Sequence, residues 1–332
     1  MAERLALPLP WMIGPLGATA LAGIAGLPVV ASTRLRNAGQ WAIGVALGLY
    51  FTPQAGALFL TLAPAIALGA VWALALAWGF HRWLTWAAPG ETPATTWFAA
   101  AIGGASEMAV MGERVGARVD RVAAAHSLRV LIVVVSVPFA LQWSGVHGAD
   151  AVAPALREVR PAGLALLVAL TLAGVALFRR WGLPNPFVLG ALAVTAGLTL
   201  ADLNLSALPR GASNAGQLFI GVALGARFTP EFLHAAPRWL GAVAVGTLGM
   251  LALSAGFALG LAALWGLHPA TAVLATTPGG IAEMAITAKV LELGVPAVTA
   301  FHVVRYVLVV LTTGPIFSRF VAPSGPGTAR AG

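Results

Sequence analysis

Apolar runs long enough to span a bilayer core, about 20 residues, follow one another along this chain. Short stretches between them hold nearly all of the charge. The runs are Ala-, Leu- and Gly-rich and lack the period-2 alternation of a membrane β-barrel. They predict helices over residues 10–30, 37–51, 57–83, 95–112 and 119–143. The polar stretch SGVHGADAVAPALREVRP, residues 144–161, predicts an extramembrane loop. A connecting helix is expected over 161–178, closed by Arg179 and Arg180, and the pattern then restarts at Pro186.

The restart is an internal duplication. NAGQWAIGVALGLYFTP at 37–53 matches NAGQLFIGVALGARFTP at 214–230, with four differences. PWMIG at 10–14 answers PFVLG at 186–190, GGASEMA at 103–109 answers GGIAEMA at 279–285, and HSLR at 126–129 answers HVVR at 302–305. The offset is 177 in the first pair and 176 in the others. The fold expected is an all-α polytopic membrane protein of two five-helix repeats and a connecting helix, about 10–11 transmembrane segments in all. Its parts are a first repeat over 1–143, a loop and connecting helix over 144–183, a second repeat over 184–320 and a disordered tail over 321–332. The copies are inverted if the connecting helix stays out of the bilayer and parallel if it crosses. Lys and Arg on alternate loops favour neither.

Composition agrees. Of 332 residues, 59% are hydrophobic and 9% charged, against about 25% charged in soluble domains. The net charge of +8 comes from arginines in short connections, such as Arg34, Arg36, Arg114, Arg118 and Arg121, which is membrane-protein usage and not a nucleic-acid footprint. The 11 Trp residues stand mostly near helix ends, as interface anchors do. Cysteine is absent, so disulfides and Cys-ligated metals are excluded. The N-terminus lacks the pattern of a cleaved signal peptide.

Candidate chemistry sits in the duplicated segments. Gly103-Gly104 and Pro278-Gly279-Gly280 interrupt apolar helices, because paired glycines and proline weaken a helix. A half-helix that starts there points N–H groups and a positive dipole end inward, a setting for an anion. The first copy lacks the proline, so its break is expected to be milder. Glu107 and Glu283 follow the breaks, and a charge at mid-membrane costs roughly 2.5–3.5 kcal/mol. They are candidate proton or cation sites; the alternative is a carboxylate neutralised by an arginine or a helix N-terminus that only locks packing.

His126 with Arg129, and His302 with Arg305, lie three apart on one helix face. The arginines are expected to pair with the glutamates or with an anionic substrate. The histidines are expected either to relay protons or to be held by hydrogen bonds. Asn37 and Asn214 are read as N-caps, Gln40 and Gln217 as polar contacts to a site, and Gly44/Gly48 and Gly221/Gly225 as close-packing positions. Zinc-protease, Walker and nucleophile-elbow motifs are absent, and no closed metal set is visible. No enzyme activity, metal or cofactor is expected.

The duplicated pattern resembles the AbrB-duplication membrane proteins over nearly the whole chain. That family is catalogued under transcriptional regulators and under ammonia monooxygenases. Its members commonly begin with a further apolar helix, so the resemblance implies a shortened first repeat. Neither label fits the residues, since no oxygenase metal site and no soluble DNA-binding element is visible. A repeat with a broken fourth helix also resembles cation–proton antiporters and anion transporters, at the level of fold. The leading expectation is a secondary transporter of a small solute, anionic where arginine binds it, coupled to an ion or proton. It would lie in the cytoplasmic membrane, with an indirect effect on gene expression. The alternative is a membrane-embedded sensor or regulator of gene expression that binds its ligand without moving it. Expected partners are the lipid bilayer and a small-molecule or ion ligand, with no direct nucleic-acid contact.

Overall fold

Proline stands in the first turn of most of these helices, where its fixed φ suits the helix and its missing N–H is one the helix leaves unpaired anyway. The computed structural model describes residues 8–146, 148, 154–234 and 236–322, side chains at 233 and 234 excepted. The first half contains α1 (Pro10–Ile24), α2 (Thr33–Gly48), α3 (Pro53–Ala87), α4 (Pro93–Ala100), α5 (Ala105–Glu113) and α6 (Val119–Trp143). The connecting helix is α7 (Pro161–Arg180). The second half contains α8 (Pro186–Leu200), α9 (Arg210–Gly225), the short α10 (Pro230–His234), α11 (Pro237–Trp265), α12 (Pro269–Thr276), α13 (Ile281–Val290) and α14 (Val295–Ile316). α14 runs on into a π-helical turn, Phe317–Val321. The expected tail lies, from residue 323 on, outside the described residues.

The protein is an all-α integral membrane protein. Helices α3, α6, α7, α11 and α14 with its π turn are long and apolar enough to cross a bilayer. Their outward faces carry Leu60, Val71, Leu172, Leu248, Leu264 and Leu311, all exposed. A stripe of that kind is a liability in water and at rest in lipid. The remaining segments of the expected 10–11 are shorter helices or half-helices.

The centre is built by reciprocal packing. α1 lies on α9, α2 lies on α8, and α2 crosses α9. Glycine makes the approach possible. A Cβ at Gly39 would meet the Gly216 carbonyl at 2.7 Å, and one at Gly216 would meet the Gly39 carbonyl at 3.0 Å. Gly44 faces the Val188 carbonyl and Gly221 the Met12 carbonyl; Gly48 faces Thr195 and Gly225 faces Thr19. These partners are matched by the sequence offsets, so equivalent positions make equivalent contacts. Even the αL caps correspond, with φ 52 at Leu9 and φ 48 at Asn185.

Four sequence expectations change. Arg34 and Arg36 lie within α2 and not in a loop. Ser32 caps α2, accepting from Leu35 N at 3.4 Å, and Pro209 precedes α9, so Asn37 and Asn214 are interior and not N-caps. The first break is as complete as the second. Ala101 and Thr277 leave the helix with nearly the same angles, φ −55, ψ 134 and φ −57, ψ 138, so the proline is dispensable. The fourth change, in the partners of Arg129 and Arg305, belongs to the site below.

The α2–α9 crossing yields a prediction. Gly39→Ala should destabilise the protein by about 1–3 kcal/mol through overpacking. Gly17→Ala, on α1 with nothing within 4 Å of its would-be Cβ, should be neutral or gain up to about 1 kcal/mol from helix propensity. Thermal unfolding in detergent compares the two, and equal behaviour would contradict the crossing.

Candidate functional site

Each break leaves carbonyls at the end of its first half-helix without helical partners. An apolar interior has no water to satisfy them, and each orphan is costly. The His-x-x-Arg pair on the neighbouring long helix supplies the donors. Arg129 Nη1 donates to the Ala99 carbonyl at 3.2 Å and the Ala100 carbonyl at 3.4 Å, and Nη2 to the Ala101 carbonyl at 3.1 Å. In the second copy Arg305 Nη1 donates to the Thr277 carbonyl at 2.6 Å and Nη2 to the Gly279 carbonyl.

The histidines do the same work. His126 Nε2 donates to the Phe98 carbonyl at 2.9 Å and His302 Nε2 to the Leu274 carbonyl at 2.8 Å, since a carbonyl can only accept. His126 Nδ1 accepts from Arg129 Nη2 at 2.9 Å, so both of its ring nitrogens are engaged. This corrects the pairing expected from the sequence. Among the described residues neither Arg129 nor Arg305 forms an ion pair with Glu107 or Glu283; backbone carbonyls take the guanidinium groups because the break exposes them first.

The backbone then bends through four non-helical residues and re-enters a helix after the N-caps Gly104 and Gly280. None of the four glycines has positive φ; what they supply is space. A Cβ at Gly104 would collide with the Glu107 carboxylate, and one at Gly280 with that of Glu283. A Cβ at Gly103 would meet Met108, and one at Gly279 would meet Met284, each at 2.8 Å. The motif is therefore a steric unit. The first glycine admits the methionine, and the second admits a glutamate folded back over the helix N-terminus. Glu107 and Glu283 stand third in their half-helices, where an acid returns toward the cap and complements the dipole. The Glu283 carboxylate turns to its own backbone N–H, and Arg227 is the cation whose charge acts on it.

Both N-termini open on one cavity of about 180 Å³, room for about six waters at 30 Å³ each. Of the residues predicted for a site, Gln40, Gly103, Gly104, His126, Gly279, Gly280, Glu283 and Arg305 line it. Glu107, Arg129, His302 and Gln217 do not. Glu107 sits just behind the wall beside the Tyr306 hydroxyl, which has no partner in strict hydrogen-bond geometry.

Sequence reasoning missed Arg36, Asn185, Arg227 and Tyr306, which complete the polar part of the lining. Arg227 was findable, because it is one of the four positions where the seventeen-residue copies differ, with Tyr50 as its counterpart. It donates to Ser127 Oγ at 3.2 Å. Three guanidinium groups and two half-helix N-termini, each worth roughly half a positive charge, thus face one carboxylate on the wall, Glu283. The arrangement suits a small anion. Among the described residues no group of three or more His, Cys, Asp and Glu could hold a metal.

Residues 11–322 match the protein family described as "Transition state regulatory protein AbrB". The chain is 30% identical over 243 residues to "Putative regulator AbrB" of Escherichia coli (strain K12), covering 72% of this chain and 68% of that one. It is 28% identical over 246 residues to "Uncharacterized protein YhjN" of Bacillus subtilis (strain 168), covering 67% of this chain but 62% of the relative's length. No solved structure matches the chain.

The steric unit makes a double-mutant cycle informative. Gly280→Ala should cost about 1–3 kcal/mol through overpacking. In a Glu283→Ala background, where the colliding carboxylate is gone, most of that cost should vanish. Additive losses in thermal unfolding would contradict the folded-back glutamate. Separately, Arg305→Met should destabilise by about 3 kcal/mol or more, since it removes two charge-assisted bonds worth roughly 1.5–3 kcal/mol each. An Arg305→Met protein as stable as wild type would show that those carbonyls are satisfied some other way.

Proposed function

The chain belongs to the AbrB family, and from that premise we propose that it is a secondary transporter of a small anionic solute, coupled to a proton through Glu283. One observation carries the reading: two half-helix N-termini, each with a glutamate at its third residue, open on a single arginine-lined cavity. Paired interrupted helices in corresponding places are where secondary transporters bind their solutes.

In this reading Glu283 is a tethered anion. While ionised it occupies the N-terminus of α13 and faces Arg227. When a proton neutralises it, the backbone N–H groups and Arg227 become available to a solute anion. Proton and anion then enter together and leave together. Arg36 and Arg227 take the solute's charge, Gln40 and Tyr306 supply neutral hydrogen bonds, and Arg129 and Arg305 keep the two breaks open by holding their carbonyls. No catalytic step, metal or cofactor belongs to this scheme, and the membrane we assign is the cytoplasmic one.

A second reading has its own support. The family description and the Escherichia coli relative's name both speak of regulation. The same cavity would then report a bound anion without moving it, and any effect on gene expression would be indirect.

Counterflow in proteoliposomes separates the two. With radiolabelled small carboxylates and inorganic phosphate as the panel, a transporter exchanges at least one labelled anion across the bilayer. Binding that stabilises the detergent-purified protein without exchange would favour the sensor. Saturation at 100 times Kd adds about 2.7 kcal/mol of stability, which a melting curve reads easily. Uptake should rise as pH falls, because protonated Glu283 is the competent form. Glu283→Gln, permanently neutral, should bind anion with a flattened pH dependence, and retained wild-type pH dependence would remove Glu283 from the coupling. Arg227→Gln should weaken anion binding at least tenfold, the equivalent of about 1.4 kcal/mol.

A further inference from the structure

A second basic pocket, of about 280 Å³, stands at the far ends of the two central helices. On α2 the cavity touches Arg36 and Gln40 while this pocket touches Ala46 and, just past the helix end, Tyr50; on α9 the pocket touches Ser213 while the cavity touches Ala223 and, just past the helix end, Arg227. The cavity is therefore at the start of α2 and the end of α9, and the pocket is at the end of α2 and the start of α9. The two helices run in opposite directions between them. At 1.5 Å per residue, Arg36 and Leu49 lie about 20 Å apart along α2.

The two spaces share three symmetry-related wall positions. Ala46, Tyr50 and Ser213 line the pocket, and the residues displaced from them by 177 positions, Ala223, Arg227 and Arg36, line the cavity. What differs is depth. On the cavity side Gln40 and Ile220 are on the wall. Their counterparts on the pocket side, Gln217 and Ile43, are 7% and 1% exposed and line neither space.

The pocket also has a cover. Residues 154–160 strap across it. Ala155 N donates to the Leu49 carbonyl at 3.0 Å, Arg160 N to Ser206 Oγ at 3.0 Å, and Ala207 N to the Glu158 carbonyl at 2.9 Å. The strap leads into α7, which has no counterpart before α1 among the described residues. Arg157, Arg210 and Lys289 line the pocket, and among the described residues no Asp or Glu does.

We propose that this pocket is the second mouth of the solute path, on the opposite membrane face and closed here by the 154–160 strap and the Gln217–Ile43 plug, and that it admits the same class of small anion. The inference rests on the transport reading above. The two halves are then inverted copies. Translocation exchanges the surroundings of Gln40 and Gln217 about the Gly39–Gly216 crossing while the half-helices stay in place.

The chain has no cysteine, so single cysteines report access directly. Ala223→Cys marks the cavity and Ala46→Cys its counterpart, each reacted in right-side-out and inside-out vesicles with membrane-impermeant thiosulfonates. Ala223→Cys should react from one side and Ala46→Cys from the other. At Ala46→Cys a sulfonate-bearing reagent should outpace a trimethylammonium-bearing one at least tenfold at low salt, the scale of steering by a charged mouth. Ala155→Pro deletes the N–H that ties the strap to Leu49 and should raise the Ala46→Cys rate several-fold. Should Ala46→Cys fail to fold, Arg210→Cys, an exposed position on the same rim, replaces it.

Both cysteines reacting from one side, or faster reaction with the cationic reagent, would overturn the second mouth. So would an Ala46→Cys that stays inert from both sides with the strap released. Labelling needs no turnover. Sided labelling without counterflow would therefore sink the transport reading and leave two sealed mouths, and counterflow with same-sided labelling would do the reverse.

Discussion

A helix interrupted inside an apolar bundle exposes carbonyls on one side of the break and N–H groups on the other, and both must find partners away from water. The rest of this molecule depends on how that constraint is met. The carbonyl side is closed by protein, through Arg129 with His126 and Arg305 with His302. The N–H side is met by a folded-back glutamate, which is an anion and which a proton can switch off. A structural debt at one end of the break is settled permanently, and at the other end by a group that chemistry can displace. That asymmetry leaves the N–H side of each break facing the shared cavity.

Close helix packing brings the two breaks to one place. Gly39 and Gly216 let α2 and α9 cross almost backbone to backbone. The remaining glycines of the same segments seat α1 and α8 against them. Larger residues would hold these helices further apart, and two half-helix N-termini could not share one small cavity. The glycines at the breaks serve a different end, giving room to the glutamate and the methionine of their own half-helix.

Departures from internal symmetry place the charge on the cavity wall. Arg36 and Arg227 on the cavity wall stand where the other copy has Ser213 and Tyr50. The cavity gains two cations from positions that a search for conserved repetition passes over. Among the described residues the strap over the opposite pocket likewise has one copy. Equivalent backbone with unequal side chains thus gives two different spaces at the two ends of the α2–α9 pair.

The amino-acid sequence alone determined that this is a polytopic helical membrane protein with an internal duplication, because bilayer thickness fixes the length of apolar runs and the offset of 176–177 is read directly. It also located both breaks and the residues around them, since Gly-Gly and an isolated acid stand out in an apolar chain. Tertiary structure decided the partners. The sequence puts Arg129 and Arg305 near acids in composition but cannot show that the nearest unmet acceptors are the carbonyls of a helix about 30 residues earlier in the chain. It could not bring Arg36, Arg227 and Glu283 to one wall, because those residues are far apart along the chain and meet only through the α2–α9 crossing. Nor could it set the direction of α9 against α2, which follows from which end of each helix reaches which cavity. Local pattern fixes elements here; the satisfaction of backbone groups across elements fixes the site.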